Sequence, residues 1–208
     1  MLSYLLFTLT LGGIYGLLAL SLNLIWGGVG MVNLGLAGFF AVGAYVSALV
    51  AIAGVPLPLA MLLACVIGAL AGVIATFATI RLRGDYLAIV TLGFAEVVRM
   101  VALNERWLTR GSDGISGIPA PFRAELGIDG FNLFYLALVS VIVLIVFFAM
   151  RRIDGSPFGR VLKAIREDQE LATFAGKYVT RFKIQTFALS AAIAGLAGAL
   201  YGHFQTYI

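Results

Sequence analysis

Charge is missing from most of this chain. No Asp, Glu, Lys, Arg or His occurs between Met1 and Ile80, and after Lys183 the only residue of those five types is His203. Every formal charge therefore lies between Arg81 and Lys183. Charged residues make up 12% of the 208 residues, against about 25% in soluble domains. A water-soluble fold of this length could not cover so much apolar side chain, because small domains keep a large surface. Cysteine is nearly absent too. Cys65 alone makes no internal disulfide, and one Cys with one His makes no recognisable metal site. No glycine-rich phosphate loop with a lysine occurs, so the chain is not expected to bind ATP or another cofactor. No paired nucleophile and base is visible, which argues against an intramembrane enzyme. The net charge of +4 sits between apolar runs and is not a nucleic-acid signal.

What is abundant is long apolar sequence: 62% of the residues are hydrophobic. A membrane span needs about 20 such residues to cross about 30 Å of hydrocarbon. Six candidate spans follow, at 4–26, 31–53, 56–80, 86–104, 131–150 and 184–207. The first has no basic flank and is followed at once by others, so it reads as a span, not a cleaved leader. Gly27, Gly28 and Gly30 break the first junction, Gly54, Pro56 and Pro58 the second, and Arg81, Arg83, Gly84 and Asp85 the third. Backbone groups in lipid must be satisfied within their own segment, so helices are expected. The fold class is an all-α polytopic transmembrane bundle, one domain over 1–208. A β-barrel would alternate residue by residue, and these runs do not.

Lysine and arginine set the orientation. Segment 151–183 holds Arg151, Arg152, Arg160, Lys163, Arg166, Lys177, Arg181 and Lys183, and Arg81 and Arg83 belong to the same side. Loop 105–130 holds Arg106, Arg110 and Arg123. The ten-to-three balance puts 81–85 and 151–183 in the cytoplasm, 105–130 outside and the N-terminus outside. Small residues at helix-packing spacing predict close contacts at Gly12 and Gly16, Gly68 and Gly72, Gly198 and Gly202, and along Ala191, Gly195 and Ala199.

Segment 156–183 reads SPFGRVLKAIREDQELATFAGKYVTRFK. Ser156 and Pro157 form a helix start. Val161, Leu162 and Ile165 form an apolar face. Asp168 is placed to cap a second short helix, with Glu170 in its first turn, and Gly176 to end it. Leu171, Ala172, Phe174 and Ala175 give that helix an apolar side. Such an elbow either packs on the span ends or the lipid surface, or docks into a groove on another protein. Within the spans, Glu96 and Arg99 are spaced to pair on one face, as a structural pair or as part of a pathway or gate. Asn23, Asn33, Tyr86 and Thr91 are further pathway candidates; the two Asn read first as helix caps or bonds to another helix, and Tyr86 and Thr91 equally as interface residues. His203 reads as an interfacial or packed histidine, not a catalytic one.

The elbow resembles the cytoplasmic coupling loop of branched-chain amino acid ABC transporter permeases, through Gly159, Arg160, Leu162–Asp168, Ala172, Gly176 and Val179–Lys183. RLRGDYLAIVTLGFAEVVR at 81–99, GSDGISGIP at 111–119, LGLAGFFAVGAY at 34–45 and ALSAAIAGLAGALYG at 188–202 are similar to the same family in the same order. The resemblance implies one half of a heterodimeric pore in the bacterial cytoplasmic membrane, contacting lipid. Its implied partners are a homologous second permease, two cytoplasmic ATPases and a periplasmic or extracellular substrate-binding protein. Coupling to the ATPases is implied for Arg160, Ala164, Arg166, Glu167, Asp168, Leu171, Phe174 and Gly176. Urea, short amides or other small polar solutes are the alternative cargo, and a self-sufficient channel or secondary transporter is the alternative class. Two departures stand out. Leu36 occupies a position where many relatives have histidine. Relatives also continue well past Ile208 with further spans and a glycine-rich motif, so this chain reads as a fragment or a truncated product.

Overall fold

The computed structural model describes residues 1–79 and 85–208. The expected charged break at Arg81, Arg83 and Gly84 lies outside the described residues. Nine α-helices are described: α1 (Leu2–Leu22), α2 (Leu36–Ile52), α3 (Leu57–Thr79), α4 (Asp85–Asn104), α5 (Arg106–Thr109), α6 (Arg123–Gly155), α7 (Pro157–Glu167), α8 (Gln169–Phe174) and α9 (Val179–Gln205). A π-helical turn, Asn23–Gly27, continues α1. Five of these segments are long and apolar enough to cross a membrane, and Leu36–Ile52 is a shorter sixth.

Several boundaries differ from the sequence reading. The span expected at 31–53 is helical only over Leu36–Ile52. Its 17 residues rise about 25 Å, and Met31–Gly35 precede it without helical structure. The span expected at 131–150 is the inner part of α6, which runs from Arg123 to Gly155 with a kink at Gly127. Arg151 and Arg152 therefore belong to a helix, not to the loop expected at 151–183. Likewise Arg123–Gly130 leaves the loop expected at 105–130. Helical hydrogen bonding continues past the apolar run until a cap stops it, and Ser156 is that cap. At the other side α9 begins at Val179, so Arg181 and Lys183 are also helical. Asp85, expected in a break, is the first residue of α4.

The six long helices alternate in direction around α9. Phe7 meets Phe204 with ring centroids 5.2 Å apart, while Ser21 bonds Ser190, so α1 runs antiparallel to α9. In α2, Phe39 meets Phe187 and Ser47 lies 2.8 Å from His203, so α2 is parallel to α9. A Cβ on Gly72 would meet Phe187 and Ala191, and one on Gly195 would meet Ala64, which makes α3 antiparallel. Phe94 of α4 stacks on Phe39, 4.7 Å between centroids. Tyr135 of α6 donates to the Leu200 carbonyl over 2.7 Å. One end of the bundle thus carries the α1–α2 junction and the elbow α7–α8. The other carries the N-terminus, residues 105–122 and the C-terminus, where Ser3 bonds Asp129 and Ile115 exchanges backbone bonds with Ile208.

The core follows from small residues on α9. More than half of its apolar window is buried, against 17–28% in the other spans. A methyl on Gly198 would run into the Phe40 carbonyl, and one on Gly43 into the Gly195 backbone. Gly68 approaches the Ala191 carbonyl within 2.9 Å of where a Cβ would sit. These contacts match the stripes expected at Gly68 and Gly72, at Gly198, and from Ala191 to Ala199; a Cβ on Gly202 would instead meet the Ile208 side chain first. Gly12 and Gly16 differ: a Cβ there meets nothing within 4 Å, whereas neighbouring Gly13 packs against Val139. The four-residue spacing of Gly12 and Gly16 is right for packing, but the helix turns Gly13 to the neighbour instead.

Two predictions follow from this arrangement. In a Cys65→Ser background, a cysteine at Asp113 reacts with an impermeant thiol reagent added outside intact cells, and one at Gln169 does not; the reverse pattern overturns the lysine and arginine orientation. Gly198→Ala forces two backbones apart and lowers stability by about 1–3 kcal/mol. Gly93→Ala, with open space around it, leaves thermal stability in detergent unchanged or slightly raised.

Candidate translocation and coupling sites

The elbow is held by local capping. The Ser156 hydroxyl accepts from the Gly159 N–H at 3.2 Å, and Pro157 occupies the first turn of α7. Asp168 Oδ1 accepts from the Glu170 and Leu171 N–H groups at 2.8 and 3.0 Å, capping α8. Gly176, at φ 75°, closes α8: its N–H bonds the Thr173 carbonyl and the Lys177 N–H bonds the Ala172 carbonyl. That is a Schellman stop, and the left-handed backbone explains the glycine.

Packing then divides the elbow into two faces. Leu162, Ile165 and Ala172 are buried with Ile25, Val29, Val179 and Phe187. Leu171 and Phe174 point away, 65% and 87% exposed. Ala164, Glu167 and Ala175 are exposed as well. Arg166 behaves differently from its neighbours. Its guanidinium donates to the Gly27 carbonyl over 2.7 Å, tying the elbow to the π-helical turn that ends α1. Asn23, Trp26, Gly27 and Arg166 line a cavity of about 510 Å³ there. Lys183, 6% exposed, donates to Gln169 Oε1 at 2.8 Å and anchors α8 to α9. The sequence reading assigned Lys183 no such role.

Four of the six pathway candidates fall into two pairs. Asn33 and Thr91 meet where residues 31–35 pass α4. The Thr91 hydroxyl accepts from the Leu34 N–H at 3.1 Å, and Asn33 Oδ1 accepts from the Gly35 N–H at 2.8 Å. Asn33 Nδ2 is buried without a hydrogen-bond partner among the described residues. Non-helical backbone at membrane depth is tolerated where protein or a watered cavity satisfies it, and these two side chains do part of that work. Asn23 and Tyr86 are exposed and join neither Asn33 nor the charged pair.

Glu96 and Arg99 form a bidentate ion pair, Arg99 Nε to Glu96 Oε2 at 2.9 Å and Arg99 Nη2 to Glu96 Oε1. Both side chains remain half-exposed. They lie in a groove of about 730 Å³ between α2 and α4, beside Ala37, Ala41, Tyr45, Ile89, Leu92 and Leu103. Sequence spacing foresaw the pair; the groove requires α2 and α4, separated in sequence by the whole of α3, to meet. His203 is fully buried, with its ring nitrogens 2.8 Å from Ser47 Oγ and the Pro119 carbonyl. Of the two readings, interfacial or packed, the structure shows the packed one.

The pair yields a thermodynamic prediction. Removing one member leaves the other uncompensated in an apolar setting, which costs more than removing both. Glu96→Gln and Arg99→Gln each lower the amount of assembled protein several-fold, and the double substitution restores most of it. Additive losses on quantitative immunoblots contradict the pairing.

Comparison with known proteins agrees with this architecture. The family described as branched-chain amino acid transport system / permease component matches residues 4–208. The high-affinity branched-chain amino acid transport system permease protein LivM of Salmonella typhimurium is 38% identical over 96% of this chain and 52% of its own length. The probable branched-chain amino acid transport permease protein LivM of Methanocaldococcus jannaschii is 29% identical over 72% of the chain and 43% of its own. The high-affinity branched-chain amino acid transport system permease protein LivH of Salmonella typhimurium is 27% identical over 96% of the chain and 70% of its own. No solved structure matches significantly. The chain spans about half the length of the LivM relatives. With a match over nearly its whole length and six alternating apolar helices, this chain belongs to the branched-chain amino acid transport system permease family.

Proposed function

We propose that the chain is a membrane-spanning permease subunit of an ABC importer in the bacterial cytoplasmic membrane, moving branched-chain amino acids. The observation that carries the reading is the elbow. It is rigidly capped at Ser156, Asp168 and Gly176, buried on one face, and leaves Leu171 and Phe174 bare on the other. A helix that is fixed but unpartnered on its apolar side fits a groove on another protein. In this reading two cytoplasmic ATPases dock on the elbows of this subunit and a homologous permease, and a binding protein delivers solute to the opposite end. Closure of the ATPase pair moves the elbow. Arg166 and the buried face of α7 carry that movement to the α1–α2 junction. The spans then exchange between inward-open and outward-open arrangements, a shift between two populations.

Phe174 is the anchor, because buried aromatic side chains dominate such contacts. Phe174→Asp places a charge at the centre of the contact and leaves the spans untouched. Membrane abundance stays normal, while ATPase co-purification and solute uptake are both lost. Uptake at the wild-type level without bound ATPase would overturn the importer reading and favour a channel or secondary transporter.

A further inference from the structure

We propose that Glu96 and Arg99 form a subsite that reads the two charges of a zwitterionic amino acid, with the α2–α4 groove taking its aliphatic side chain. The inference rests on the importer reading and assigns it a recognition element. The starting point is electrostatic. The pair is bidentate yet half-exposed, on the open wall of an otherwise apolar groove. Glu96 and Arg99 lie about 12 and 8 Å below the outer end of α4 at 1.5 Å per residue. A charged pair there is costly unless it meets a polar counterpart. Two further cavities have no comparable pair. The one beside Phe158 and Gln185 has no charged lining residue among the described residues. The one at Trp26 holds Arg166, already bonded to Gly27, and no acid.

An amino acid zwitterion presents one anion and one cation on neighbouring atoms, with no net charge. It can enter by exchange. The guanidinium fork of Arg99 turns from Glu96 to the substrate carboxylate, a geometry it suits bidentately. Glu96 is then free to accept from the substrate ammonium. Two charge-assisted contacts replace one bidentate pair, and the groove with its ligand stays neutral throughout. A solute carrying only a carboxylate or only an ammonium leaves one member of the pair without a partner, and the groove rejects it. Ala37, Ala41, Ile89 and Leu92 supply the apolar wall for an aliphatic side chain, and Tyr45 adds a hydroxyl near the outer end.

The test uses the complete transporter with its partners in liposomes, and two measurements. The first is uptake of leucine by wild type and by the E96Q/R99Q double variant, with abundance and ATPase binding measured alongside. The expected result is near-normal assembly with leucine uptake reduced roughly tenfold or more, as loss of paired polar contacts does. The second keeps the pair intact, so it decides even if the double variant fails to assemble. In a Cys65→Ser background, Leu92→Cys is labelled by a water-soluble thiol reagent, and leucine slows the labelling while 4-methylpentanoate and leucinamide do not. Unchanged uptake in an assembled double variant overturns the subsite and leaves the importer reading standing. So does a cysteine at position 92 that never labels, or labels at the same rate with leucine present. Wild-type transporter that takes up no leucine overturns both.

Discussion

Everything in this bundle depends on how closely α9 can approach its neighbours. In a membrane no water is expelled when apolar helices meet, so close backbone contact and polar bonds between helices must hold the assembly. α9 supplies both. Gly195 and Gly198 let the backbones of α2 and α3 come within van der Waals contact. Ser190, His203 and the Leu200 carbonyl then bond Ser21, Ser47 and Tyr135 on three different helices. With the centre filled by one helix, the others are arranged around it in alternating directions.

That arrangement decides which surfaces remain open. α4 packs on α2 and residues 34–35 through Phe94, Ala95 and Thr91, and adds Leu87 to the buried core. Its remaining face carries Glu96 and Arg99 over a groove. A lipid-facing position would be a poor place for a carboxylate and a guanidinium, even paired. The same logic applies at the other end. The elbow spends Leu162, Ile165 and Ala172 on the bundle and leaves Leu171 and Phe174 exposed. The charged groove and the apolar tip of the elbow thus both stay open on the described surface.

Between them runs a physical connection. Arg166 holds the Gly27 carbonyl at the π-helical turn, Leu162 lies beside Gly28, and residues 31–35 pass from there to Thr91 on α4. π-Turns often mark functional positions within helices. These contacts join α7 to α1 directly and to α4 through one short irregular segment. The importer reading gives this chain of contacts a use, because a docked lever must act on the pathway through something stiff.

The sequence by itself determined the membrane setting, the all-α class, the six apolar segments and the caps at Ser156, Asp168 and Gly176. Each is local: span length, hydropathy, and hydroxyl, carboxylate or glycine chemistry within a few residues of the bond it makes. The pairing of Glu96 with Arg99 was legible for the same reason, since one helical turn separates them. The helix ends at Arg123, Gly155 and Val179 lie beyond the expected spans, because helical bonding continues past the apolar run that hydropathy detects. Only the tertiary structure decided that Gly13, not Gly12 or Gly16, meets a neighbour, that Arg166 bonds the Gly27 carbonyl, and that Asn33 and Thr91 share one junction. Rotation of a helix about its axis, and contacts between residues far apart in sequence, depend on the packing of all six helices at once. No short window of sequence carries that information.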